Sequence, residues 1–118
     1  MKKCVFVLED NQDFRELFTL MLELEDYQVK SYPTAADFYE SIQNEHLDVL
    51  LLDVMLPDGN GLDICQQLKA DPKTSNIPII MMSAHKELAN LKVGCKAEDY
   101  IEKPFDIHQF LAKIERLA

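Results

Sequence analysis

Three acidic residues and one hydroxyl follow apolar runs that are typical of buried strands. Asp53 ends one such run, Glu9 and Asp10 follow another, and Ser83 follows a third. A short apolar run bounded by turn-forming residues is typical of a strand buried on both faces. The carboxyl ends of parallel strands meet at one edge of an open α/β sheet, where such proteins place their active sites. We therefore expect these four side chains to lie together.

The chemistry of this group points to a metal and a phosphoryl group. Clustered carboxylates raise one another's pKa values unless a cation lies between them. Glu9, Asp10 and Asp53 offer hard oxygen ligands, which suit Mg²⁺, an ion that takes few carboxylates and shares phosphate oxygens. Lys103 follows the last predicted strand and can neutralise a phosphoryl group as a point charge, while Ser83 can donate a hydrogen bond. The set predicts phosphoryl transfer with Asp53 as the nucleophile, forming an aspartyl phosphate.

The elements that must position these residues alternate along the chain. The predicted strands are Cys4–Leu8, Gln28–Tyr32, Val49–Asp53, Pro78–Met82 and Tyr100–Glu102. Helices are predicted after Asn11, Thr34, Asn60 and Asp106, with a weak candidate over Glu87–Val93. Such alternation predicts a parallel sheet with helices on both faces and right-handed crossovers. We expect one domain covering residues 1–118, since no linker or repeat interrupts the pattern.

Composition excludes several classes of function. The net charge of −9, from 12 basic and 21 acidic residues, argues against binding to nucleic acid or to a membrane surface. No signal peptide or apolar run of membrane-spanning length is visible, so we expect a cytoplasmic protein. The three cysteines show no paired spacing and no zinc pattern, which favours a reducing compartment. We expect Cys4 and Cys65 to be free core residues and Cys95 to be exposed.

Four ordered motifs resemble the receiver domain of two-component response regulators over essentially the whole chain. They are the pair Glu9–Asp10, the segment from Asp53 to Gly61, Ser83–Ala84, and the segment from Tyr100 to Phe105. Each motif is weak alone, and the four in this order are specific. The resemblance implies a flavodoxin-like (βα)5 fold, a doubly wound five-stranded parallel sheet in the order 2-1-3-4-5.

The resemblance also implies a role for each matched residue. Asp53 would accept the phosphoryl group from a phosphohistidine of a sensor histidine kinase or histidine-phosphotransfer protein, which would dock on the first helix. Mg²⁺ would be held by Asp10, Asp53 and the Met55 backbone carbonyl, with Glu9 acting through a water. Lys103 would pair with the phosphoryl oxygens, and Ser83 and Tyr100 would form the switch pair.

The implied function is a phosphorylation switch, not an enzyme beyond autocatalytic phosphoacceptance and slow autodephosphorylation. Phosphorylation would reshape the surface formed by the fourth helix, the fifth strand and the fifth helix for a downstream protein target. The protein would be a monomer or a weak phosphorylation-dependent dimer. The segment from Ser83 to Lys103 spans 20 positions, fewer than the family pattern, so we expect a short, shifted or partly unwound fourth helix.

Three alternatives follow from the same residues. A degenerate receiver would use this fold as a protein-interaction scaffold that never accepts phosphate. A phosphohydrolase is disfavoured because Met55 stands where such enzymes need a second acid. A flavin carrier is disfavoured because Glu9 and Asp10 replace the phosphate-binding loop that it requires. The sequence is compatible with a full protein or with a domain excised from a longer one.

Overall fold

Five parallel strands form a single sheet in a computed structural model that describes residues 2–84, 95–103 and 105–118. Strand β1 is Cys4–Leu8, β2 is Gln28–Tyr32, β3 is Val49–Asp53, β4 is Ile79–Ala84 and β5 is Asp99–Lys103. Their order across the sheet is β2-β1-β3-β4-β5, and every neighbouring pair is parallel. The doubly wound flavodoxin-like order predicted from the sequence is therefore confirmed.

Successive residues of the central strands supply two separate cores, because side chains alternate between the faces of a strand. Phe6, Leu50 and Met81 belong to one hydrophobic cluster, and their neighbours Val7, Leu51 and Met82 belong to the other. Both β1 and β3 are buried along their whole length, as expected for strands covered on both faces. The apolar runs were therefore correctly interpreted as central strands.

Helices cover both faces of this sheet. Helix α1 is Gln12–Leu24, α2 is Ala35–Ile42, α3 is Gly61–Ala70, and the C-terminal helix α4 is Ile107–Leu117. Helices α1 and α4 share one cluster through Phe18 and Phe110, and α2 and α3 share the other through Phe38 and Ile64. The helix predicted over Glu87–Val93 lies outside the described residues.

Polar side chains begin the helices as the sequence predicts. The side chains of Asn11, Thr34 and Asp106 each accept a hydrogen bond from the backbone N–H three residues later, and Asn60 accepts one from Leu62. These bonds satisfy amide groups that have no partner inside the helix. The helix starts therefore fix where each chain segment leaves the edge of the sheet.

The cysteines correct one prediction made from the sequence. Cys4 is a free, buried thiol, as expected, but Cys65 and Cys95 form a disulfide with their Cα atoms 6.3 Å apart. Cys95 is 6% exposed and belongs to the same core cluster as Cys65. The expectations of a free Cys65 and an exposed Cys95 were wrong, because the fold packs the segment before β5 against α3.

Candidate functional site

Three carboxylates meet at the carboxyl edge of the central strands. Glu9 and Asp10 directly follow β1, and Asp53 is the last residue of β3. One carboxylate oxygen from each lies within 4.8 Å of the others, with Glu9 and Asp53 buried and Asp10 exposed. The juxtaposition predicted from the strand ends is therefore present in the fold.

Lys103, the last residue of the edge strand β5, also reaches this cluster. Its ammonium group donates hydrogen bonds to Glu9 and, at 3.3 Å, to Oδ2 of Asp53. The same nitrogen lies 4.5 Å from the centroid of the Phe14 ring on α1, within the range of a cation–π interaction. A basic residue predicted only to lie near this edge is thus in direct contact with two of its acids.

Negative charge exceeds positive charge within this group. Burial raises the pKa of Glu9 above its usual value, and the neighbouring Asp53 raises it further, while Lys103 acts in the opposite direction. Carboxylates that repel one another in a buried place are relieved by a cation with hard-ligand preferences. The donor set of Glu9, Asp10 and Asp53 therefore fits Mg²⁺.

Ser83 brings a hydroxyl to the same edge on β4. It is 1% exposed, and its Oγ has no hydrogen-bond partner among the described residues. Buried polar groups are nearly always hydrogen-bonded, and exceptions call for an explanation. Asp53 pairs in register with Met82, so Ser83 follows one residue beyond the level of Asp53. The hydroxyl is therefore available to an acceptor bound at this edge.

Tyr100 lies in β5, half-buried against the cluster that contains Met81 and Cys95. Its register partner in β4 is Met81, two residues before Ser83. Its hydroxyl donates a hydrogen bond to the backbone carbonyl of Cys95, so the ring is held at its polar end as well as by packing. The predicted switch pair thus occupies neighbouring strands.

The loop after Asp53 is held in place by close backbone approach. Met55 and Leu56 pair with Asn60 and Gly59 in a short antiparallel ladder, and the Gly61 N–H donates to the Val54 carbonyl. A Cβ on Gly61 would lie 2.9 Å from the Asp53 carbonyl carbon and closer still to its oxygen. Only glycine therefore allows α3 to begin directly against the backbone of Asp53.

Three residues around the site have roles that the sequence analysis did not assign. Arg15 donates to the backbone carbonyls of Glu9 and Asp10, and Asp58 accepts the amides of Ala35 and Ala36 at the start of α2. Phe14 packs against one of the two cores and also holds the Lys103 ammonium group over its ring. The sequence offered one signal for the role of Arg15, namely its position in the first turn of α1, just after the acidic pair Glu9–Asp10.

Comparisons with known proteins identify the family of this chain. The family model of the response regulator receiver domain matches residues 5–115. The transcriptional regulatory protein GltR of Pseudomonas aeruginosa is 33% identical over 98% of this chain, and the response regulator ArlR of Staphylococcus saprophyticus is 37% identical over 96%. The chain therefore belongs to the response regulator receiver domain family of two-component signalling.

Solved structures show the same fold. A receiver domain protein from Methanospirillum hungatei superposes with a TM-score of 0.88 at 25% identity, covering 98% of this chain and 93% of that one. The response regulator TrrA of Thermotoga maritima, solved with Mg²⁺ and BeF, gives a TM-score of 0.86 at 21% identity, covering 98% and 99%.

This chain spans about half the length of the curated relatives, 48% of GltR and 51% of ArlR. None of the helices in the described part of the chain combines the length and apolar character needed to cross a bilayer.

Proposed function

We propose that residues 1–118 form one phosphoacceptor unit in which Asp53 takes a phosphoryl group from a phosphohistidine. The observation that carries the proposal is the meeting of Glu9, Asp10 and Asp53 within 4.8 Å, with Lys103 on Asp53. In this proposal Asp10, Asp53 and the Met55 backbone carbonyl hold Mg²⁺, and Glu9 acts through a water. Bound there, the ion would neutralise the charge that develops on the transferred group.

The protein residues divide the work of the transfer between them. An Oδ atom of Asp53 attacks phosphorus, the P–N bond breaks, and the imidazole leaves with the bonding electron pair and takes up a proton. Lys103 already donates a hydrogen bond to Asp53, and after the transfer it can donate to the negatively charged phosphoryl oxygens. The Ser83 hydroxyl, which has no hydrogen-bond partner in the described part of the chain, gains an acceptor in the new phosphoryl group. Catalysis here is positioning and charge stabilisation, and we propose no further enzymatic activity.

The output of the switch is proposed to run through Ser83 and Tyr100. When Ser83 moves onto the phosphoryl group, space opens behind it for the Tyr100 ring, whose present hydrogen bond to Cys95 is then lost. The new charge thereby biases a surface that includes β5 and α4 between two arrangements. A downstream protein target would distinguish these two arrangements. The protein would present them as a monomer or as a weak phosphorylation-dependent dimer.

The donor is proposed to dock on α1. Leu17, Leu20 and Leu24 are 43%, 58% and 77% exposed on this helix. Their spacing of three and four residues places them along one side of a helix. Since Phe14 of α1 contacts Lys103, a partner on α1 would lie beside the site. The proposed partner is a sensor histidine kinase or a histidine-phosphotransfer protein, since either can carry the phosphohistidine.

The test is intact mass after incubation with a small-molecule phosphodonor and Mg²⁺. We expect one phosphoryl adduct that requires the metal, disappears with a chelator, and is absent in Asp53→Asn. Glu40→Gln, which removes one exposed charge from α2, should keep the adduct. An adduct that survives in Asp53→Asn would refute the assignment, and a folded protein with no adduct from any donor would favour the scaffold alternative.

A further inference from the structure

We propose that Cys65 and Cys95 are a redox-sensitive pair that controls how readily Tyr100 can leave its present position. The inference deepens the proposed function, since it assigns a chemical input to the proposed switch residue. It stands on one juxtaposition: the residue that is cross-linked to α3 is the residue whose carbonyl holds the Tyr100 hydroxyl.

The disulfide fixes the segment before β5 to a well-anchored helix. Cys65 is fully buried in α3, and the two Cα atoms are 6.3 Å apart, within the ordinary range for disulfides. At one end of α3, Gly61 abuts the backbone of Asp53. Near the other end, Lys69 donates to both carboxylate oxygens of Glu98 and to two backbone carbonyls. The cross-link therefore joins Cys95 to a helix that is held at both ends.

This anchoring reaches Tyr100 through a single hydrogen bond. While the disulfide is closed, the Cys95 carbonyl keeps its place relative to α3, so Tyr100 can move only by losing its bond to that carbonyl. When the disulfide is open, Cys95 and Tyr100 can move together and keep the bond. Oxidation should therefore favour the unphosphorylated arrangement, and reduction should remove that preference.

The chemistry needs only a disulfide partner, such as a low-molecular-weight disulfide. The Cys95 thiolate, the more accessible of the two, attacks one sulfur of the partner and expels a thiol. The Cys65 thiolate then attacks the Cys95 sulfur of the mixed disulfide and expels the second thiol. The protein loses two protons and two electrons, and the partner disulfide is reduced to two thiols.

The experiment compares the affinity of the reduced and the oxidised protein for beryllofluoride with Mg²⁺, a mimic of the phosphoryl group. Intact mass after alkylation under denaturing conditions first establishes the state of the pair, since the reduced protein takes up three alkyl groups and the oxidised protein takes up one, on Cys4. Cys4→Ala, which removes the remaining free thiol, serves as the control for unrelated thiol chemistry. We expect the reduced protein to bind about fivefold more tightly, equivalent to about 1 kcal/mol, the contribution of one neutral hydrogen bond.

Tyr100→Phe separates this coupling from a general effect of the disulfide, because it keeps the ring and removes the hydroxyl. We expect this variant to form the disulfide and to bind beryllofluoride equally in both states. Three results would overturn the inference: no disulfide under oxidising conditions, equal affinities in the wild-type protein, or a full redox difference in Tyr100→Phe. Loss of binding in both redox states would instead refute the proposed function, and the coupling with it.

Discussion

Replacing Asp53 with asparagine should stabilise the metal-free protein. The side chain keeps its size but loses its charge, in a place where Asp53 is 7% exposed and two other carboxylates lie within 4.8 Å. Lys103 does not become unpaired, because it also donates to Glu9. A residue proposed to carry the chemistry is thus expected to cost stability when no cation is present.

The magnitude follows from the charges around Asp53. At an effective dielectric constant of about 20, each like charge within 4.8 Å contributes a repulsion of about 3.5 kcal/mol. Lys103 at 3.3 Å offsets about 5 kcal/mol on the same scale. Asp10 is exposed, so solvent weakens its share, and a net repulsion of about 1–2 kcal/mol remains. We expect Asp53→Asn to raise the free energy of unfolding by that amount.

Urea denaturation of both proteins, with a chelator and with Mg²⁺, measures this effect. The wild-type protein should gain about 3 kcal/mol from Mg²⁺ at one hundred times the dissociation constant, and Asp53→Asn should gain much less. Glu40→Gln controls for the change in net charge and should match the wild-type protein in both conditions. If Asp53→Asn is less stable than the wild-type protein in chelator, the account of a strained carboxylate cluster is wrong.

Three further predictions concern the surroundings of the site. Gly61→Ala should destabilise the protein by about 3 kcal/mol in urea denaturation and slow adduct formation, while Gly59→Ala, whose Cβ would meet nothing within 4 Å, should do neither. Lys69→Met should cost about 2–3 kcal/mol in the same assay, because it removes the ammonium donor from two backbone carbonyls and from Glu98, which keeps only the Ile79 N–H, and exposed Lys73→Met should cost little. Hydrogen bonds from the amides of Ala35 and Ala36 lower the pKa of Asp58, so the ionised carboxylate stabilises the folded protein. Asp58→Asn should therefore be less stable than the wild-type protein above the ordinary pKa of 3.8, and the difference should vanish as the pH falls through the lowered pKa. A difference in stability that persists in strong acid would contradict this.

Local pattern was sufficient for the parts of the site that follow from strand order. Alternation of strands and helices predicts that the carboxyl ends of β1, β3 and β5 share one edge of the sheet. Glu9, Asp53 and Lys103 could therefore be placed together from the sequence alone. The helix starts were also predictable, because a capping side chain bonds to an amide only three residues away.

Contacts that depend on the packing of distant segments could not be predicted in this way. Cys65 and Cys95 are 30 residues apart, and their approach depends on how the segment before β5 lies on α3. The apolar spacing of α1 places Phe14 on the buried side but does not show that a cation lies over its ring. Such contacts are set by side-chain direction within the folded protein, which the hydrophobic period does not encode.

The ring of Phe14 gives Lys103 a support that carries no formal charge. Ion pairs with Glu9 and Asp53 would hold the ammonium group away from an incoming anion. The face of an aromatic ring also attracts the cation, but it does not compete with that anion as a counter-ion. The lysine can therefore exchange one anionic partner for another while its nitrogen stays in place. Phe14 therefore keeps the Lys103 nitrogen in place, and Lys103 can change its anionic partner with little movement of β5.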